Sequence, residues 1–267
     1  MITRTDVSSD RLHHSSLLLT LRAKKKKIHQ TSLSLRQMAG LCWISVLLAV
    51  SLSIGDCEPL DIGYVRDIAK LVQNNYLIPK WHFSVAVNIP EDPEKLGKAF
   101  DNINLDEVKK TCIDKGKVYI GRNAVVAVPQ RKDTNTDHAE AQVLDNLGNL
   151  ANTHKCNILL LYSWLSPCGD KCTNRKNKNN ILKKIEEKVK PKWESYAFVF
   201  HTVFTGPRGG KQATEAEIQK TLRNLREVIK DDNIFRCYNP NNTGFRCVKC
   251  FVDASKTANP VDECVKK

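Results

Sequence analysis

The sequence contains no internal repeat, only two methionines and a single apolar stretch long enough to consider as a membrane span. The missing repeat excludes a solenoid or propeller of stacked units. The lone stretch excludes a bundle of membrane helices. The scarcity of methionine leaves Met38 as the one internal start. What is present is a chain of 267 residues, 41% of them apolar, which suffices for one full-sized globular core. Lys plus Arg number 42 against 29 Asp plus Glu, and there are ten cysteines.

Residues 1–37 are basic and Ser-rich, including Lys24 to Lys27, and hold no apolar face that could fold. They are expected to be either a poorly ordered extension or not part of the working chain. From Met38 the character changes to a compact apolar run, MAGLCWISVLLAVSLSIG, ending in the small residues Ser53 and Gly55. That pattern predicts a secretory signal peptide over 38–55, cleaved after Gly55. The run is short for a span and is followed by Asp56, Cys57 and Glu58, so no permanent membrane anchor is expected. Without residues 1–55 the chain carries +7 rather than +13, still basic and compatible with a polyanionic partner.

The informative stretch runs from His138 to Cys172. Asp137 can cap a helix in which Ala139, Val143, Leu144, Leu147, Leu150 and Ala151 recur at helical spacing, which predicts a helix over 138–153. The run CNILLLYSW, 156–164, has the length and continuous apolar character of a strand buried on both faces. Cys168 and Cys172 are expected to enter a second helix, which turns both sulfurs to one side. This order brings His138, Cys168 and Cys172 to one sheet edge as three soft-metal ligands, with Glu140 beside them. Catalytic zinc keeps three protein ligands and an open fourth position where a water is activated. Each residue alone admits a plainer reading: Asp137 and Glu140 could form a capping box, and the two cysteines could be disulfide partners.

HAE followed by SPCGDKC, with 26 residues between Glu140 and Pro167, resembles the zinc-dependent cytidine deaminase superfamily, whose H-x-E and P-C-x-x-C signature has this form. YSWLSPC is similar to the SWSPC of the AID/APOBEC polynucleotide deaminases, and HAEAQVLD to their HAExxxLD helix. With a secretion signal, the chain most resembles the secreted novel AID/APOBEC-like deaminases. It differs in the insertion of Leu165 between Trp164 and Ser166, and in a Cys-x3-Cys spacing. The resemblance implies an α/β fold of cytidine deaminase type, with a central mixed sheet of about five strands flanked by helices, spanning 56–236. It implies Zn2+ held by His138, Cys168 and Cys172, with Glu140 moving protons during deamination of cytosine to uracil in single-stranded DNA or RNA. By the same resemblance Trp81 and His82 border the active site and Trp164 and Ser166 line it. Asn123, with Asn88 and Asn135 as competitors, is the candidate to contact the target nucleotide. Phe204, Arg208 and Lys211 fall in or beside the loop that reads the flanking nucleotide. A free cytidine deaminase and a non-catalytic zinc-binding protein remain alternatives.

The rest of the chain is read from its patterns. Residues 57–78 predict a first helix ended by Pro79, WHFSVAVNI a strand, 90–114 an insertion with a short helix, and VYIGRNAVVAV one or two more strands. After Cys172 a basic run includes Arg175, Lys176, Lys178, Lys183, Lys184, Lys188 and Lys190, either a solvated helix face or a groove for phosphates. ESYAFVFHTVF predicts an aromatic strand and 214–230 an amphipathic helix with a Thr214/Glu217 capping box. After a last core strand at 234–238, residues 237–267 form a cysteine-rich extension. Asn241 opens a glycosylation sequon on a turn. Leaving Cys42 in the signal and the two ligand cysteines aside, seven remain. Cys156 is expected to be a buried free thiol, with Cys57, Cys112, Cys237, Cys247, Cys250 and Cys264 paired in a connectivity the sequence does not fix.

Overall fold

In a computed structural model the described residues are Cys57 and 59–267, apart from 102, 133–134, 151–153, 155, 208, 230–232, 254 and 256. The signal-peptide reading of 38–55 and the reading of 1–37 therefore lie outside the described residues.

Helix α1 (Ile62–Tyr76) forms because Val65, Ile68, Ala69, Val72 and Tyr76 recur on one face, and Asp61 caps it by accepting from the Tyr64 amide. Strand β1 (Ser84–Ile89) follows, then a 3-10 turn (Pro93–Phe100) and the short α2 (Leu105–Lys109), which runs into a π-turn. Next come β2 (Tyr119–Ile120), β3 (Ala124–Ala127), the hairpin of β4 (Gln130–Lys132) and β5 (Asn135–Asp137), and α3 (Ala139–Asp145). The second half contains β6 (Ile158–Leu165), α4 (Ile181–Lys188), β7 (Ser195–Thr202), α5 (Glu215–Arg226), β8 (Ile234–Tyr238), β9 (Arg246–Lys249) and α6 (Asp262–Val265).

The main sheet has the order β2-β3-β1-β6-β7-β8-β9. It is antiparallel except at β6–β7 and β7–β8, which are parallel and are joined by crossovers through α4 and α5. Both faces are covered, so alternate residues of a strand enter different cores. Leu159 and Leu161 of β6 pack with α3, α4 and α5. Ile158, Leu160 and Tyr162 pack with α1 and α2. The fold is thus the mixed α/β sheet flanked by helices that the sequence implies, with seven strands instead of about five. The additional strands are edge strands, the two-residue β2 and the tail strand β9. The tail is built into the sheet, since β9 pairs with β8 from Phe235↔Lys249 to Tyr238↔Arg246.

Two helix expectations change. The helix after His138 stops at Asp145 because Asn146 leaves the α region (φ −109°, ψ 10°), and its amide side chain donates back to the Gln142 carbonyl. Leu147 and Leu150 still reach the same core through a 3-10 turn. Cys168 lies in irregular backbone just before a turn and Cys172 within that turn, and the helix that follows begins only at Ile181. The asparagines explain the delay: Asn174, Asn177 and Asn180 each accept a backbone N–H two residues on, a local bond that competes with helix.

The disulfides are Cys57–Cys156, Cys237–Cys247 and Cys250–Cys264, and this corrects the expected roles of two cysteines. Cys156 precedes β6 and is only partly buried, so it can meet Cys57. Cys112 is instead the buried free thiol, held in the π-turn with its sulfur donating to the Val126 carbonyl.

Candidate metal centre and active site

The site grows from one edge of the sheet. The register pairs Ser84 at the start of β1 with Ala127 at the end of β3 and with Ser163 near the end of β6. Beyond β6 the chain enters the cysteine turns, and on the α3 side of the same edge His138 opens its helix.

His138 is the N-cap of α3 in extended backbone (φ −75°, ψ 144°) and makes no side-chain capping bond, so its ring is free to face the cysteines. Asn179 fixes this geometry from the turns after Cys172: its Oδ1 accepts from the His138 amide and its Nδ2 donates to the Thr136 carbonyl. The ligand atoms of His138, Cys168 and Cys172 all lie within 4.8 Å of one another. His138 Nδ1 is 3.1 Å from Cys172 Sγ and 3.8 Å from Cys168 Sγ, and the two sulfurs are 3.6 Å apart. A tetrahedral zinc bonded at about 2.3 Å to sulfur and about 2.0 Å to nitrogen would set these atoms roughly 3.5–3.8 Å apart. One imidazole and two thiols at this spacing suit a soft-metal site and could hold an ion. The sulfurs are not joined, and the expected disulfide alternative at this position is not what forms.

Electrostatics divide the two sulfurs. The hydrogen bond between the two sulfurs, with a further contribution from His138, outweighs burial to bring Cys168 down to about 4. The same bond, together with burial, holds Cys172 well above its ordinary range. Burial pulls His138 down, but its contacts with Cys168 and the charge of Glu140 leave it above its usual value.

Glu140 is buried at 4% exposure, on the first turn of α3. Its Oε1 accepts from Ser163 Oγ at 3.2 Å and lies 3.5 Å from His82 Nε2, while Ser84 Oγ donates to Ser163 at 3.1 Å. Burial is the largest influence and opposes the charged carboxylate, but His82, a backbone N–H and His138 together outweigh it, and Glu140 stays below the usual range. Its second oxygen, Oε2, is buried with no partner among the described residues. A buried carboxylate oxygen left unpaired is costly unless water or a substrate supplies the donor. The capping-box alternative does not hold, since Asp137 is engaged by Lys132 and Lys178, each at 2.8 Å.

The remaining sequence candidates separate. His82 stands beside Glu140, and Trp81 next to it is 45% exposed. Ser166 is buried, and its hydroxyl accepts from the Phe204 amide, so it ties the end of β6 to the loop after β7. Trp164 points to the α1 face and stacks on His201 with ring centres 4.1 Å apart. The inserted Leu165 continues β6, pairing with Thr202. Phe204 and Lys211 border a cleft of about 300 Å3 that also touches Cys168, and Lys211 is ion-paired with Glu217. Arg208 lies outside the described residues. Asn123 sits at the other end of β3, where its carbonyl accepts from the Asn88 amide, so it is not brought to the metal ligands. Asn88 is spent on the Trp193 indole, and Asn135 is exposed in the β4–β5 hairpin. Five of the basic residues after Cys172 are ion-paired, namely Arg175, Lys178, Lys183, Lys184 and Lys188. That favours the solvated-face reading of this run over a phosphate groove.

Sequence reasoning missed Ser84, Ser163 and Asn179. The available signal was a serine inside each of two apolar strands, because a hydroxyl buried there needs a partner.

The sheet order and this edge site, with one histidine, two cysteines and a buried glutamate, define the class as deaminase-like. A family model described as Secreted Novel AID/APOBEC-like Deaminase 1 matches residues 67–267, and the chain belongs to that family. A search of curated proteins and a search of solved structures each gave no match.

Proposed function

We propose that this protein is a secreted, zinc-dependent deaminase that converts cytosine to uracil in single-stranded nucleic acid. The carrying observation is the unpaired, buried Oε2 of Glu140 beside three converging metal ligands. His138, Cys168 and Cys172 would hold the zinc, and the bound ion supplies an acidified water at neutral pH. Glu140, charged and anchored by Ser163, takes one proton of the water and passes it to N3 of the base, then takes the second from the hydroxyl added at C4 and passes it to the departing amino group. Water and cytosine thereby become ammonia and uracil, with no net proton change at the carboxylate.

The single-stranded substrate is supported by the half-exposed Trp81 and partly exposed Phe204, which offer surfaces for stacked bases. Secretion is supported by three disulfides and by the apolar run at 38–55. Among the described residues no helix is long and apolar enough to cross a membrane.

The test is a uracil-release assay on zinc-loaded protein with a cytosine oligonucleotide and with cytidine. Glu140→Gln should keep one equivalent of zinc and the wild-type melting temperature while losing at least about a thousandfold in rate, a typical effect of removing a proton-transfer group. Activity on cytidine alone would move the assignment to a free-nucleoside deaminase. Zinc binding with no uracil from any substrate would reduce the site to a structural one.

A further inference from the structure

A polar cavity of about 480 Å3 lies at the end of the sheet remote from the metal ligands, where Ala124 begins β3. Its wall carries Tyr76, Lys98, Asp101, Tyr119, Arg122 and Asn123. The volume falls within the range of small-molecule sites.

Tyr76 is only 2% exposed, yet its hydroxyl has no hydrogen-bond partner among the described residues. The partly buried Tyr119 hydroxyl is likewise unpartnered. Neither phenol oxygen is itself sealed from solvent, so both open onto the cavity and offer it donors that water or an acceptor from outside can take. Both remain protonated donors at any working pH. Burial, then the neighbouring Tyr119, holds Tyr76 above the usual phenol range, and burial, then Glu107, raises Tyr119. Gly121 keeps room for the Tyr119 ring, because a Cβ there would stand 3.0 Å from it. At the exposed mouth, Arg122 makes no hydrogen bond or ion pair among the described residues. Lys98 is also exposed, and Asp101 is the one carboxylate on the wall. Donors and positive charge therefore outnumber acceptors.

We propose that this cavity binds the phosphate-bearing end of a nucleotide, with Arg122 and Lys98 at the mouth taking the phosphate and the Tyr76 and Tyr119 hydroxyls donating to acceptor atoms deeper inside. A free mononucleotide and the phosphate of a longer strand present the same chemistry. The site is independent of the metal centre, and cytosine-free probes keep the deaminase reading out of the measurement.

Calorimetric titration of the zinc-loaded protein would use adenosine 5′-monophosphate, adenosine and an oligo-adenylate strand. The monophosphate should bind and adenosine should not. Arg122→Gln should weaken binding at least tenfold, and Tyr76→Phe, which preserves packing, at least threefold, with uracil formation from a cytosine oligonucleotide unchanged. Binding of the oligo-adenylate alone, lost in the same variants, would identify a strand as the phosphate source. Failure of both phosphate-bearing probes to bind, or wild-type affinity in both variants, would overturn the proposal.

Discussion

His201 carries a protonation cost that can be read in stability. Burial first, and then the nearby Arg236, holds its imidazole down to about 4. An unfolded histidine titrates near 6.5, so between these values the unfolded chain binds the extra proton. Stability from this group is full above pH about 6.5, falls as the pH drops toward 4, and changes no further below that. The loss is about 3 kcal/mol at most, from the linkage between pKa and folding. Denaturant titrations from pH 7 to pH 4 should show the decline, and His201→Phe, which retains a ring against Trp164, should flatten it. Equal slopes in both proteins would assign the pH dependence elsewhere. At this same scale the candidate metal ligands were legible in the sequence, because H-x-E and P-C-x3-C are local patterns. Ser84 and Ser163 were not, because their meeting depends on the β1–β6 register, which no local pattern prints. Asn123 fell to the wrong end for a related reason, since distance along the chain from His138 does not say which way β3 runs.

The cysteine turns and α5 meet at one close approach. A Cβ at Gly169 would stand 2.8 Å from Thr221 Oγ1, and that hydroxyl already donates to the Glu217 carbonyl. Gly169→Ala should therefore lift the turn off α5 and displace the adjoining Cys168, lowering zinc affinity about tenfold, the order seen for groups that orient metal ligands. Competition with a chromogenic chelator measures this, and unchanged affinity would show that the turn can yield without cost. The α5 capping box was readable from Thr214 and Glu217, since both halves lie within one turn. The late start of α4 was less so, because apolar spacing says where a helix can run and not where asparagine side chains will hold the backbone in turns.

The three disulfides among the described residues are spread unevenly. Cys237–Cys247 and Cys250–Cys264 close separations of 10 and 14 residues at the β8–β9 edge, whereas Cys57–Cys156 spans 99. Chain-entropy arguments give a loop of that size about 4–5 kcal/mol of stabilisation. The double variant Cys57→Ser/Cys156→Ser should lower the urea midpoint by a corresponding amount while retaining zinc. A loss no larger than that from opening Cys237–Cys247 would contradict the loop-length account. Cysteine parity alone revealed that one thiol stays unpaired, but choosing between Cys112 and Cys156 required knowing which of them faces the sheet.

The 3.6 Å gap between the sulfurs of Cys168 and Cys172 has a practical consequence for handling the purified protein. If chelator strips the ion in air, dissolved oxygen can take two electrons and two protons from the pair and lock it as a fourth bridge. Such material should bind zinc again only after treatment with a mild reductant, whereas a sample stripped under argon should take it up directly.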